Sequence, residues 1–158
     1  MKKRHFIAFM MAGLFALSMF SSCGGGSKES STDNAAVSPA PAQAFVPSAE
    51  QMAAGEKIYL EKCKVCHQAD GKGLKPAFPP LSGSDYLLTD KKRAVAQALN
   101  GSNMEIIVNG ITFKGLMPPQ VATHEDAVNV INYVLNNFGN AGGYISVDEV
   151  KDVVINPR

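Results

Sequence analysis

Apolar and polar positions alternate in several distinct rhythms along the chain. From Phe6 to Phe20 runs an apolar stretch of 15 residues, preceded by Lys2, Lys3 and Arg4. About 20 apolar residues are needed for a helix to cross a bilayer, so this run is short for a span. A basic head, a short apolar middle and the small-residue end Ser21-Ser22-Cys23-Gly24 form the pattern of a secretory signal peptide. From Gly24 to Pro47 large apolar side chains nearly vanish in favour of Gly, Ser, Ala and Pro. Such a segment buries too little surface to offset the entropy of ordering, which predicts a flexible tether. Its 24 residues have a root-mean-square reach of ~25–30 Å as coil.

Helical spacing begins at Ser48. Ser48-Ala49-Glu50-Gln51 is a capping box, predicting a helix from Ala49 with Met52, Gly55 and Tyr59 on one face running toward Cys63. A middle helix is predicted over 90–99, with Ala94, Val95, Ala98 and Leu99 as its buried side. Ile106 to Phe113 contains Asn109-Gly110, the signal of a two-residue hairpin, and predicts a small β-ribbon or extended loop. Thr123-His124-Glu125-Asp126 starts another helix, with an apolar stripe at Ala127, Val130, Ile131, Val134 and Leu135 and a stop at Gly139. Ser146-Val147-Asp148-Glu149 is a second capping box, predicting a short C-terminal helix through about Val154.

Composition narrows the classes. The chain has 158 residues, 46% apolar and 18% charged, with a formal charge of +1. That excludes a chain disordered throughout and a strongly basic nucleic-acid binder. Removal of residues 1–22 takes away three basic residues and no acidic ones, leaving 136 residues with a net charge of −2. The predicted organisation is a signal peptide over 1–22, a linker over 23–47 and one globular domain over 48–158. Those last 111 residues suffice for one modest core, which a buried prosthetic group would enlarge.

The chemistry lies in the cysteines. Cys63-Lys64-Val65-Cys66-His67 is the C-x-x-C-H signature of c-type haem attachment. Positions i, i+3 and i+4 share a helix face. The thiols of Cys63 and Cys66 can therefore bond the two vinyl groups of one porphyrin, with His67 beneath the iron as axial ligand. Three other readings stand beside this one. A structural zinc site needs four ligands, and no second C-x-x-C exists. A thioredoxin-like pair sits between a strand and a helix, whereas the segment before Cys63 reads as helix. A simple disulfide leaves His67 without a role. For a sixth iron ligand the candidates are Met52, Met104, Met117 and His124. Met117 is preferred: it lies 50 residues past His67 in Gly115-Leu116-Met117-Pro118-Pro119, where two prolines stiffen the loop and remove backbone donors. Met52 shares the thiols' helical element, Met104 follows a less rigid stretch, and His124 opens a helix as a surface residue.

These separated features, in this order, resemble a class I (mono-haem) cytochrome c over nearly all of residues 48–139. They comprise Gly55, Tyr59, the C-x-x-C-H motif, Gly71-Lys72-Gly73, Phe78-Pro79-Pro80-Leu81-Ser82-Gly83, Met117-Pro118-Pro119 and Tyr133-Val134. The stretch from Phe78 to Tyr86 and the tail after Gly139 resemble the cytochrome domains fused to some copper nitrite reductases, without the copper domains. Ser22-Cys23 resembles the lipobox of bacterial lipoproteins, although Phe20 stands where Leu is usual. An ordinary signal peptide cut near Ser22 is the alternative.

The resemblance implies an all-α cytochrome c fold, with three to five helices around one covalent haem c and a small hairpin near 106–113. It implies a close crossing of the first and last helices at Gly55, and a Pro79 carbonyl that accepts the second ring N–H of His67. The implied function is a one-electron carrier rather than an enzyme, with His67 and Met117 on the iron. It would be exported to the periplasmic side of a bacterial membrane and tethered by a lipid on Cys23. Redox partners follow by class: a quinol-oxidising complex or another cytochrome as donor, a terminal oxidase or nitrogen-oxide reductase as acceptor. Lys64, Lys72, Lys75 and Lys114 flank the haem-binding segments and form either a docking rim or ordinary solvated surface. Two rival functions remain, a peroxidase-type haem enzyme and a thiol-disulfide oxidoreductase lipoprotein.

Overall fold

The structure, a computed structural model, describes residues 45–157. The expected signal peptide, Cys23 and the linker up to residue 44 lie outside the described residues.

Helix α1 spans Ala49–Ile58 and begins where the capping box places it. The Gln51 amide donates to Ser48 Oγ (3.2 Å), and the Ser48 amide donates to Gln51 Oε1 (3.0 Å). The helical path continues through a π-helical turn at Tyr59–Cys63 into α2, Lys64–His67. A π turn inserts one extra residue and re-aims the side chains that follow it. Here Cys63 closes the turn, and Cys66 and His67 follow it. Gln68 then ends the helix at φ 66°.

Helix α3, Asp85–Thr89, is short and was not anticipated from the sequence. Its start is set by Ser84, whose Oγ accepts the Leu87 amide at 3.2 Å. Helix α4, Lys91–Asn100, follows, capped by Asp90, with the expected Ala94, Val95, Ala98 and Leu99 buried. The Asn-Gly signal yields an antiparallel hairpin of β1, Ile106–Val108, and β2, Ile111–Phe113. Asn109 at φ 50° and Gly110 at φ 74° supply the two left-handed residues that a tight hairpin turn needs. Val108 and Phe113 point into the core.

Helix α5, His124–Leu135, is capped by Thr123, and its predicted stripe is buried. It packs across α1. A Cβ placed on Gly55 would collide with the Asn129 carbonyl oxygen and lie 2.7 Å from Tyr133 Cβ. Only glycine permits this approach, so its helix-propensity cost of about 1 kcal/mol against Ala is offset by the packing it allows. Tyr59, Val95, Leu99, Val128, Val134 and Leu135 form the centre of the core between α1, α4 and α5.

Two helix ends differ from expectation. Helix α5 stops at Leu135 rather than near Gly139. Asparagine side chains take its last carbonyls: Asn136 Nδ2 donates to Asn132 O (2.8 Å), Asn137 Nδ2 to Tyr133 O (2.9 Å) and Asn140 Nδ2 to Val134 O (2.8 Å). These bonds satisfy the end of the helix without extending it. Helix α6 spans only Val147–Val150, not residues to Val154. The following backbone is recruited elsewhere: Val153 O accepts from His124 Nε2 (2.8 Å), and Val154 O accepts from Asn100 Nδ2 (2.8 Å). The fully buried Asn132 holds the start of this extension by exchanging two 2.9 Å bonds with the Ile145 backbone.

Candidate cofactor site

A largely apolar cleft of about 290 Å³ opens between α2, the 77–81 loop, α4, the hairpin and the 115–118 loop. Cys63, Cys66, His67 and Met117 all line it. Apolar contributions come from Leu87, Ala94, Val108, Phe113 and Ile131.

Local sequence positions the first three. Both thiols are unbridged and half-buried. Burial, reinforced by the neighbouring Cys66, pushes the Cys63 thiol up to about 11. His67 is 8% exposed, and burial lowers its pKa against the opposing effect of its bond to Pro79. His67 Nδ1 lies 3.0 Å from the Pro79 carbonyl oxygen. A carbonyl only accepts, so this contact requires the proton on Nδ1 and leaves the Nε2 lone pair free. The backbone at Gly73, at φ 64°, passes so close to this carbonyl that an added Cβ would lie 2.5 Å from the Pro79 oxygen.

Met117 is positioned differently. Ser102 and Met117 form an isolated antiparallel bridge, exchanging two backbone hydrogen bonds of 2.8 Å. Gly101, at φ 75°, lets the chain pass so close that an added Cβ would strike the Met117 carbonyl oxygen. The loop carrying the thioether is thereby pinned to the end of α4.

The other iron-ligand candidates fall elsewhere. Met52 is on α1 and does not line the cleft. Met104 lines its mouth but is 63% exposed. His124 turns its Nε2 to the C-terminal extension. Among the described residues, no three His, Cys, Asp or Glu side chains group as a metal site. Of the four flanking lysines, Lys72 pairs with Asp70 (3.2 Å) and Lys114 with Glu105 (2.8 Å).

The cleft wall also holds residues that sequence reasoning did not single out: Tyr86, Gln97 and Ser102. Gln97 Nε2 donates to Tyr86 Oη at 3.3 Å, and the Arg93 guanidinium stacks 3.7 Å from the Tyr86 ring centre. No motif in the sequence marks them; Tyr86 and Gln97 meet where α3 packs on α4.

An apolar cleft lined by two thiols, an imidazole and a thioether fits a covalently attached porphyrin. These features define a c-type haem protein. A family profile described as cytochrome c matches residues 52–138, and the chain belongs to the cytochrome c family. Covalent haem c is therefore its cofactor, and the mostly helical fold with one small hairpin is the family's.

Cytochrome c-552 of Thermus thermophilus is 32% identical over 92 residues, covering 55% of this chain and 70% of that protein. The cbb3-type cytochrome c oxidase subunit CcoP of Rubrivivax gelatinosus is 33% identical, covering 63% of this chain and 30% of that subunit. The alcohol dehydrogenase (quinone) cytochrome c subunit of Gluconobacter oxydans is 26% identical, covering 62% of this chain and 21% of that subunit. The chain thus spans less than a third of the length of these last two relatives.

Proposed function

We propose that the protein is a mono-haem, class I one-electron carrier. The observation that carries this reading is the convergence of Cys63, Cys66, His67 and Met117 on one apolar cleft. When bound, haem c supplies an Fe(II)/Fe(III) couple. Cys63 and Cys66 would hold it through thioethers, and His67 and Met117 would ligate its iron. With both ligands in place, no site is open for a substrate, which favours a carrier over a peroxidase-type enzyme. The Pro79 carbonyl fixes the tautomer and orientation of His67. The soft thioether and the apolar cleft both favour the reduced iron, because the oxidised form carries one more positive charge.

The chain is exported, acylated on Cys23 and tethered through residues 24–47 to the periplasmic side of a bacterial membrane. A tether of this kind replaces diffusion with a high effective concentration. The relatives' names supply partner classes, a dehydrogenase as donor and a cytochrome c oxidase as acceptor; the family resemblance adds a quinol-oxidising complex or another cytochrome as donor. A nitrogen-oxide reductase is the further acceptor suggested by the nitrite-reductase resemblance. Lys64 and Lys75 form no ion pair among the described residues, so they make a stronger docking rim than Lys72 and Lys114.

The test is the full chain matured in a host that attaches haem c. Mass spectrometry should show one covalent haem and an acylated N-terminal Cys23. Optical redox titration should show one one-electron wave and a far-red methionine–iron band, lost in Met117→Ala. Ready carbon monoxide binding by the reduced protein would overturn six-coordination.

A further inference from the structure

Among the described residues, three buried side-chain polar atoms lack a hydrogen-bond partner: Arg93 Nε, Ser102 Oγ and Asn129 Oδ1. Of these residues only Ser102 lines the cofactor cleft. A buried hydroxyl without a partner is costly, so its position calls for a partner that comes within reach only when the cofactor is bound.

The backbone identifies that partner. Ser102 and Met117 stand directly opposite each other, joined by reciprocal 2.8 Å bonds. Side chains of directly opposed residues in an antiparallel pair emerge on the same face as near neighbours. Here that face is the cleft, which both residues line. A serine hydroxyl donates, and a thioether sulfur is a weak acceptor. Tyr86, Gln97, Gln120 and Ser84, other polar residues lining the cleft, are already engaged: Gln97 Nε2 donates to Tyr86 Oη, Gln120 Nε2 donates to the Pro118 carbonyl, and Ser84 Oγ accepts from the Leu87 amide.

We infer that the Ser102 hydroxyl donates to the Met117 sulfur when that sulfur serves as iron ligand, making Ser102 a positioning residue that tunes the redox potential. The inference rests on Met117 ligation as proposed above. A donor proton aimed at the sulfur places positive charge beside the iron and draws electron density from the ligand. Both effects disfavour the oxidised state and raise the potential. The backbone bridge holds the loop whatever the side chain at residue 102, so the hydroxyl's contribution is electronic and separable from folding.

Ser102→Ala and Ser102→Thr in the matured full-length protein test this. Ser102→Ala should keep the far-red methionine–iron band while its midpoint falls, by the equivalent of a roughly three- to tenfold change in the Fe(III)/Fe(II) ratio; tenfold is about 59 mV for one electron. Ser102→Thr, which keeps the hydroxyl, should restore the midpoint. An unchanged midpoint in Ser102→Ala with the band present overturns the inference and leaves Met117 ligation standing. A midpoint shift that appears only as an altered pH dependence also overturns it, assigning the hydroxyl to a haem carboxylate. Absence of the band from the unmodified protein removes Met117 ligation and this inference together.

Discussion

The two walls of the cleft are built by opposite means. On one side, Cys63, Cys66 and His67 stand within a single run of helical backbone. Their relative placement follows from local chain geometry, with Cys63 closing a π turn and Cys66 and His67 on the helical turn after it. On the other side, Met117 lies in a loop rather than in a helix. It is placed by backbone pairing to Ser102 and by the clearance that Gly101 provides. The first wall depends on a spacing five residues long, the second on contacts between residues far apart in sequence. The attachment side should therefore tolerate disturbance elsewhere in the fold, whereas the thioether side should be the first to give way.

The largest effect breaks the attachment wall outright. Cys63→Ala combined with Cys66→Ala should abolish covalent haem, read as loss of the mass gain. Covalent haem surviving in that variant would show that the two walls are not specialised as described.

A smaller effect separates the walls. Gly101→Ala forces a side chain onto a left-handed residue and against the Met117 carbonyl. It should lower stability by about 1–3 kcal/mol and weaken the methionine–iron band while haem stays covalently attached. Denaturant titration and optical spectra check both. A variant that lost covalent attachment but kept the band would reverse the comparison.

The smallest effect lies behind the attachment wall. Tyr59 is buried, its hydroxyl donates to Gln68 O at 2.7 Å, and burial is the main cause that raises its pKa above the ordinary value. A phenol held protonated in the fold contributes stability that is fully present below its unfolded pKa of about 10. That stability is lost as pH rises through the higher folded value. Tyr59→Phe should cost about 0.5–1.5 kcal/mol at neutral pH and flatten the loss of stability above about pH 10. Parallel denaturant titrations at neutral and alkaline pH check the sign. Equal alkaline losses in both proteins would remove Tyr59 from the account.

Much of this was open to reading from the sequence because its signals are local. Both capping boxes, the Asn-Gly turn, the Thr123 cap and the buried sides of α4 and α5 appear where their residues predict them. Each rests on neighbours within one or two turns, where propensity and hydrogen bonding act without help from the rest of the molecule. The misses share the opposite property. Helix α3 has only a single serine cap and five residues, too few for periodicity to register. The early end of α5 and the truncated α6 follow from asparagine and histidine side chains meeting backbone groups, several of them from other parts of the chain.

The cofactor motif and the wall that carries it were determined by the order of a few adjacent residues, because covalent spacing along a helix sets their geometry. Which face Met117 presents, what holds it there and which hydroxyl is left without a partner beside it were decided only by the folded chain. Those facts depend on Gly101, Ser102 and Met117 meeting across a backbone pair, and no periodicity in the intervening residues encodes that meeting.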